Sequence, residues 1–197
     1  QFDRWVGGLM LQFVNDHQLF NRPNRFLIGV DYGMQNDNRQ RFNNNFGVRD
    51  TLNLSQIERV QSVGPFFRNE WNMLDKLDLV MGGRWDWLHY QVKDAFKTDG
   101  NQSGSRTVAQ ASGSIGLVYH LTEQQQIYTH VASVFEAPTT TELLNNPAGR
   151  GGFNPRLNAQ TSLSNELGIR GNTAGFQYDT AVFFIRTWDE ITPFELP

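Results

Sequence analysis

The sequence predicts an all-β fold: about eight antiparallel strands running up and down as the wall of a transmembrane β-barrel. Three observations point there. Two-residue alternation of apolar and polar side chains recurs in eight segments, while no 3.6-residue periodicity persists. In four segments that carry more than one charge, 25–35, 65–73, 77–92 and 163–171, every charge shares one parity. The connections alternate between short and long, as the turns and loops of outer-membrane barrels do.

The segments are residues 2–14, 25–35, 65–73, 77–92, 107–120, 127–137, 163–171 and 176–186. Most have about the 9–11 residues that a tilted strand needs to cross a bilayer. In the first, Trp5, Gly7, Leu9, Leu11 and Phe13 share a face; in the second, Phe26, Ile28, Val30, Tyr32 and Met34 do. The fourth aligns Leu77, Leu79, Met81, Gly83, Trp85 and Trp87; the fifth Ala111, Gly113, Ile115, Leu117 and Tyr119; the last Phe176, Tyr178, Thr180, Val182 and Phe184. Opposite these faces stand Arg4, then Arg25 and Asp31, then Asp78, Arg84 and Asp86, then Asp179. The third segment sets Arg68 and Glu70 against Phe67 and Trp71, and the seventh sets Glu166 and Arg170 against Leu167 and Ile169.

A soluble sandwich or lipocalin-like barrel with an apolar interior would show the same alternation. Two features weigh against it. The polar faces are rich in Gly and Ser, as in Ser112, Ser114 and Gly116. The apolar faces carry large aromatics near strand ends, where interfacial girdles fall in membrane barrels. The faces Trp85/Leu79/Leu117/Val182 are therefore expected to point outward, and Arg84, Asp86, Glu166 and Arg170 inward.

Composition agrees. The chain has 197 residues, a net charge of −3, no cysteine, 15 Phe, 5 Trp, 5 Tyr and 18 Gly. Mean hydropathy is −0.50, compatible with a barrel in which only alternate residues meet lipid. Without cysteine there is no disulfide framework, thiolate metal site or thiol catalysis. The acidic balance does not suit nucleic acid. His17, His89, His120 and His130 lie in separate segments without metal-ligand spacing, and neither a phosphate loop nor a Ser-x-x-Lys element is present. No catalytic residue, metal or cofactor is expected.

The short connections are 15–24, 74–76, 121–126 and 171–175; the long ones are expected as loops at 36–64, 93–106 and 138–162. With short turns on the periplasmic side, the first strand descends and the eighth ascends; since complete barrels of the kind this chain resembles normally keep both termini in the periplasm, further strands on both sides and an open, curved sheet are expected.

An ordered series of motifs then resembles the barrel of TonB-dependent receptors. Phe135-Glu136-Ala137-Pro138-Thr139 followed by Glu142-Leu143 is similar to the family's Phe-x-x-Pro-Thr element with its trailing Glu-Leu. Asn154-Pro155-Arg156-Leu157 is similar to its "NPxL" loop, Glu166-Leu167-Gly168-Ile169-Arg170-Gly171 to its "ELGxRG" strand, Gly83-Arg84-Trp85-Asp86 to its "GxRYD" strand and Asp189-Glu190-Ile191 to its "DEI" element. The likeness spans residues 64–191. Asn158-Ala159-Gln160 departs from it, lacking the proline and acid that follow "NPxL" in the family. The resemblance implies that residues 1–197 are a partial receptor barrel domain, with the plug domain and other strands outside this stretch. It further implies residence in the lipid of the bacterial outer membrane, capture of a ferric siderophore or similar scarce ligand (haem, cobalamin or a redox cofactor), and energy coupling to the TonB complex through the plug. A passive barrel or adhesin is the alternative.

Two sets of residues follow. Arg84, Asp86, Glu136, Glu166 and Arg170 are expected to face the lumen or plug, where salt bridging along the wall is the plainer role. Arg41 and Phe42 in one loop, and Arg150, Phe153 and Arg156 in another, are candidate ligand contacts, since they combine cations with aromatic faces; the plainer role is that of solvated loop residues.

Overall fold

The computed structural model describes residues 1–147, 151–173 and 175–192. The strands are β1 (Phe2–Leu19), β2 (Arg22–Asn45), β3 (Val48–Leu74), β4 (Leu77–Asp94), β5 (Gly104–His120), β6 (Gln125–Glu136), β7 (Gln160–Thr173) and β8 (Phe176–Trp188), with a single helical turn α1 (Thr140–Leu144) between β6 and β7. All eight strands form one antiparallel sheet in sequence order. Among the described residues β1 pairs only with β2 and β8 only with β7, so the sheet is open.

The register carries the parity of the first strand through to the last. Arg4 faces Asp37, Asp37 faces Glu58, and Glu58 faces Val92. Below the tip of the β2–β3 hairpin every charged strand residue lies on this same face except Asp3, Arg22, Arg59, Lys93 and Arg186. The two faces are buried in the reverse sense of a soluble protein. Leu9 is 60% exposed and Trp85 52%, whereas Asp37 is 1% and Glu58 3% exposed. A soluble barrel would bury its leucines and tryptophans. The exposed aromatic and aliphatic face therefore suits lipid, and the charged face lines the interior.

Strand tilt can be read from the turns. One outward row runs His17, Asn24, Trp71, Leu79, Leu117, Thr129, Leu167 and Val182. It starts three residues before the turn at Phe20 and ends seven residues after Gly175. Rows perpendicular to the strands thus climb relative to the turns, as the sheared register of a tilted barrel wall requires.

Two expectations are corrected. Residues 36–64 are not a loop: β2 and β3 continue as a paired hairpin whose tip is Phe46-Gly47. Both tip residues have positive φ, 46° and 88°, the type I′ geometry that matches strand twist. The 15–24 connection likewise shrinks to a turn at Phe20-Asn21, φ 53° and 60°. The alternation fades in the upper hairpin because its inward face is filled by paired charges and amides and its outward face carries Asn36, Asn38 and Gln40, which leaves no apolar stripe.

Residues 138–147 and 151–159 of the long connection fold back onto the inner wall, where α1 was not foreseen. A capping box starts it: Glu142 N–H donates to Thr139 Oγ1 at 3.3 Å, and Thr139 N–H donates to Glu142 Oε2 at 2.7 Å. Leu143 is fully buried against Tyr90 and Val108, with Phe153, Leu157, Ala159, Val60 and Leu88 packed around them. The Tyr90 hydroxyl donates to Pro138 O at 2.9 Å. The Arg106 guanidinium donates to the carbonyls of Asn154 and Leu157. This small core pins the connection to β4 and β5.

Candidate functional site

The inner face carries its charges in three groups. Highest on the wall, Arg4 on β1 donates from Nε and Nη2 to the Asp37 carboxylate at 2.8 and 2.7 Å. Gln35 donates to the same carboxylate at 2.9 Å. Beside it, Arg39 donates to Glu58 at 2.7 Å and to Thr141 Oγ1 at 3.0 Å, and Gln56 donates to Glu58 at 2.6 Å. Burial of an unpaired carboxylate would be costly; these two each have an arginine and an amide. Arg39 also links the barrel wall to the start of the 137–159 connection.

Lower on the wall, Arg84 donates to Asp86 at 2.7 Å along its own strand and to Asp31 at 2.5 Å on β2, two strands away. The span is possible because Gly64 lies between them on β3. A methyl group there would run into both the Arg84 guanidinium and the Asp86 carboxylate.

The third group repeats the device. The Tyr128 hydroxyl reaches Glu166 at 2.8 Å and Asp179 at 3.2 Å, crossing β7 above Gly168, whose Cβ position the phenol ring occupies. Arg170 lies 5.3 Å from the centre of that ring and donates to Gln126 at 3.4 Å. Glu136 accepts from Gln160 at 3.4 Å. The inward set Arg84, Asp86, Glu136, Glu166 and Arg170 thus stands on the charged face; Asp86 is bonded along its own strand to Arg84 and the other four are bonded across the sheet. At the opposite, short-turn end, Arg22 donates to Asp75 and holds that carboxyl below the usual carboxylate range.

The first group lines a cavity of about 990 Å³ between β1–β4 and residues 137–141. Arg4, Arg39 and Arg41 reach it, with Glu58, Asp37 and the threonines 139, 140 and 141. Both carboxylates are already held by Arg4 and Arg39, while Arg41 donates to the neutral amide of Asn53 at 3.0 Å. The cavity therefore has a cationic excess and several hydroxyl donors.

The other loop candidates are scattered. Phe42 stacks under Arg49, 3.4 Å from guanidinium carbon to ring centre, on the hairpin. Phe153 packs into the small inner core, and Arg156 is exposed on the 137–159 connection. Arg150 falls outside the described residues. Asp37 and Glu58 went unnoticed in the sequence, although their parity continues that of Asp31 and of Arg68 and Glu70. Among the described residues no group of three His, Asp or Glu side chains could hold a metal ion.

An open antiparallel up-and-down sheet, apolar outside and ion-paired inside, is a segment of membrane-barrel wall. The chain belongs to the TonB dependent receptor-like, beta-barrel family, whose model matches residues 1–197. Members of this family sit in the bacterial outer membrane, and they are receptors and transporters rather than enzymes. The fold is similar to that of the ferric citrate transporter FecA in its unliganded form, with 12% identity and a TM-score of 0.77 over 94% of this chain and 28% of that one. The siderophore receptor PiuA from Acinetobacter baumannii gives 13% identity and 0.71, over 92% and 31%. The copper transporter OprC gives 15% and 0.70, over 92% and 30%. The chain therefore spans less than a third of the length of these three structures.

Proposed function

We propose that this chain forms part of the barrel of an active uptake receptor in the bacterial outer membrane. Its ligand would be a ferric siderophore or a similar scarce anionic chelate, and transport would be driven by the TonB complex through a plug domain of the intact receptor. The observation that supports this best is the cavity walled by Arg4, Arg39 and Arg41, in which only two carboxylates offset three guanidinium groups. Charge-assisted hydrogen bonds from arginine suit carboxylate or catecholate oxygens. Phe42, Phe153, Arg150 and Arg156 are the further candidates for aromatic and cationic contacts with such a ligand. Several structural relatives are described as siderophore or ferric-chelate receptors, which agrees with this reading; OprC, described as a copper transporter, keeps the metal itself open.

The reading is tested with the intact receptor in iron-starved cells. Ferric citrate, a ferric catecholate and a cupric chelate are offered in turn, with and without a protonophore. Energy-dependent accumulation of one of them, weakened at least about tenfold in surface affinity by Arg41→Ala, is the expected result, since one charged hydrogen bond is worth about 1.5–3 kcal/mol. Passive uptake insensitive to the protonophore would remove the TonB-coupled reading.

A further inference from the structure

We infer that Arg59 and Lys93 form a site on the outer wall for the phosphate headgroup of an anionic lipid in the outer leaflet. The inference rests on the membrane reading above. Its starting point is the segregation of charge. Below the hairpin tip the outward face carries one acid, Asp3, and four bases, Arg22, Arg59, Lys93 and Arg186, while all other charged strand residues face inward.

Two of the four bases are accounted for. Arg22 is held by Asp75 at the short-turn end, and Arg186 lies 5.0 Å from the Trp188 ring centre. Arg59 and Lys93 are exposed and have no side-chain partner among the described residues. Every inward strand arginine, by contrast, is bonded to a carboxylate, an amide or a carbonyl.

Their place on the wall is specific. Arg59 faces Gln91, and Lys93 is the next outward residue on the same strand. The pair are therefore diagonal neighbours on adjacent strands, roughly 7–8 Å apart at their backbones. Going up β4, the outward residues are Trp85, Trp87, His89, Gln91 and Lys93, with the His89 ring stacked 5.6 Å above that of Trp87. Arg59 also shares a row with Trp5 through Asn36. The two cations thus stand just beyond the aromatic belt, at the long-connection end, where headgroups begin. Flexible stems let both reach one phosphate, and guanidinium suits phosphate geometry. The surrounding outward residues Asn36, Asn38, Gln91 and Ser105 are polar and uncharged, Ile57 is apolar, and the one outward acid, Asp3, stands two strands from Arg59 and three from Lys93.

The test uses the intact receptor in phosphatidylcholine nanodiscs doped with diphosphoryl lipid A, with bound lipid A counted by native mass spectrometry. The wild type should retain lipid A, and Arg59→Gln/Lys93→Gln should weaken retention about tenfold or more. The charge-conserving Arg59→Lys/Lys93→Arg should bind like the wild type, and dephosphorylated lipid A should bind the wild type no better than the double variant binds lipid A. Equal retention by wild type and the glutamine variant would overturn the site. So would displacement by millimolar inorganic phosphate, which would mark a soluble-anion site instead. Quenching of outward tryptophans by brominated lipid separates the two readings: without quenching the membrane placement fails, whereas quenching with equal retention defeats the lipid site alone.

Discussion

Two glycines decide whether charges can meet across the wall. Asp31 and Arg84 sit two strands apart, and their 2.5 Å contact crosses β3 only because Gly64 has no side chain. Gly64→Ala should push the guanidinium away and leave Asp31 and Asp86 without their cation. The arginine is partly exposed, so solvent screening limits the loss; about 1–3 kcal/mol is expected. The midpoint of heat-modifiable gel migration of the intact barrel measures it, and an unchanged midpoint would mean that the triad contributes nothing. On the other face, Leu117 lies three residues before the end of β5, with Leu79, Ile115 and Thr129 as outward neighbours. Leu117→Arg should cost about 2–4 kcal/mol if lipid covers that face, as measured by reversible unfolding in bilayers; a cost below about 1 kcal/mol would argue against lipid contact there.

At the scale of elements, the sequence was legible where the bilayer imposes a rule. Eight strands could be read because one face must be apolar over some ten residues, and charges expelled from it fall on the other. Above the bilayer that rule lapses. Residues 36–45 and 48–64 keep pairing, but Asn38, Gln40, Asn43, Asn53 and Gln56 leave no apolar stripe to mark them, so the hairpin read as a loop. Alternate parity still ran through Asp37, Arg39 and Glu58, and extending it would have exposed the upper ion pairs. Helix α1 is too short for periodicity, although Thr139-x-x-Glu142 is a visible capping box. The three-strand bridges could not be read, because they depend on which strands become neighbours. The hairpin tip carries its own prediction. Phe46 sits at φ 46° with its side chain fully in solvent, so it bears the left-handed penalty without packing in return. Asparagine tolerates that conformation better. Phe46→Asn should stabilise the hairpin by about 0.5–1 kcal/mol, read as slower amide exchange at residues 42–52; faster exchange would mean that Phe46 has a contact in the intact protein.

At the scale of the molecule, the sheet stores two liabilities that a closed barrel would remove. The outer edges of β1 and β8 carry free backbone donors and acceptors along 18 and 13 residues. Their inward faces are also open: Val6 and Met10 on β1 and Phe183 and Ile185 on β8 are exposed on the side that is ion-paired elsewhere. Unpaired edges of this length template further pairing. Expressed by itself and refolded in detergent, the chain should therefore associate edge to edge, growing with concentration, because detergent covers the outward apolar face but cannot supply backbone hydrogen bonds. Light scattering with size-exclusion chromatography measures this. Proline at two β1 positions whose N–H groups point away from β2 should limit growth, since one edge would then lack donors. A monodisperse monomer at high concentration would show that detergent alone satisfies the edges. Association unaffected by the prolines would place its cause in the outward apolar face instead.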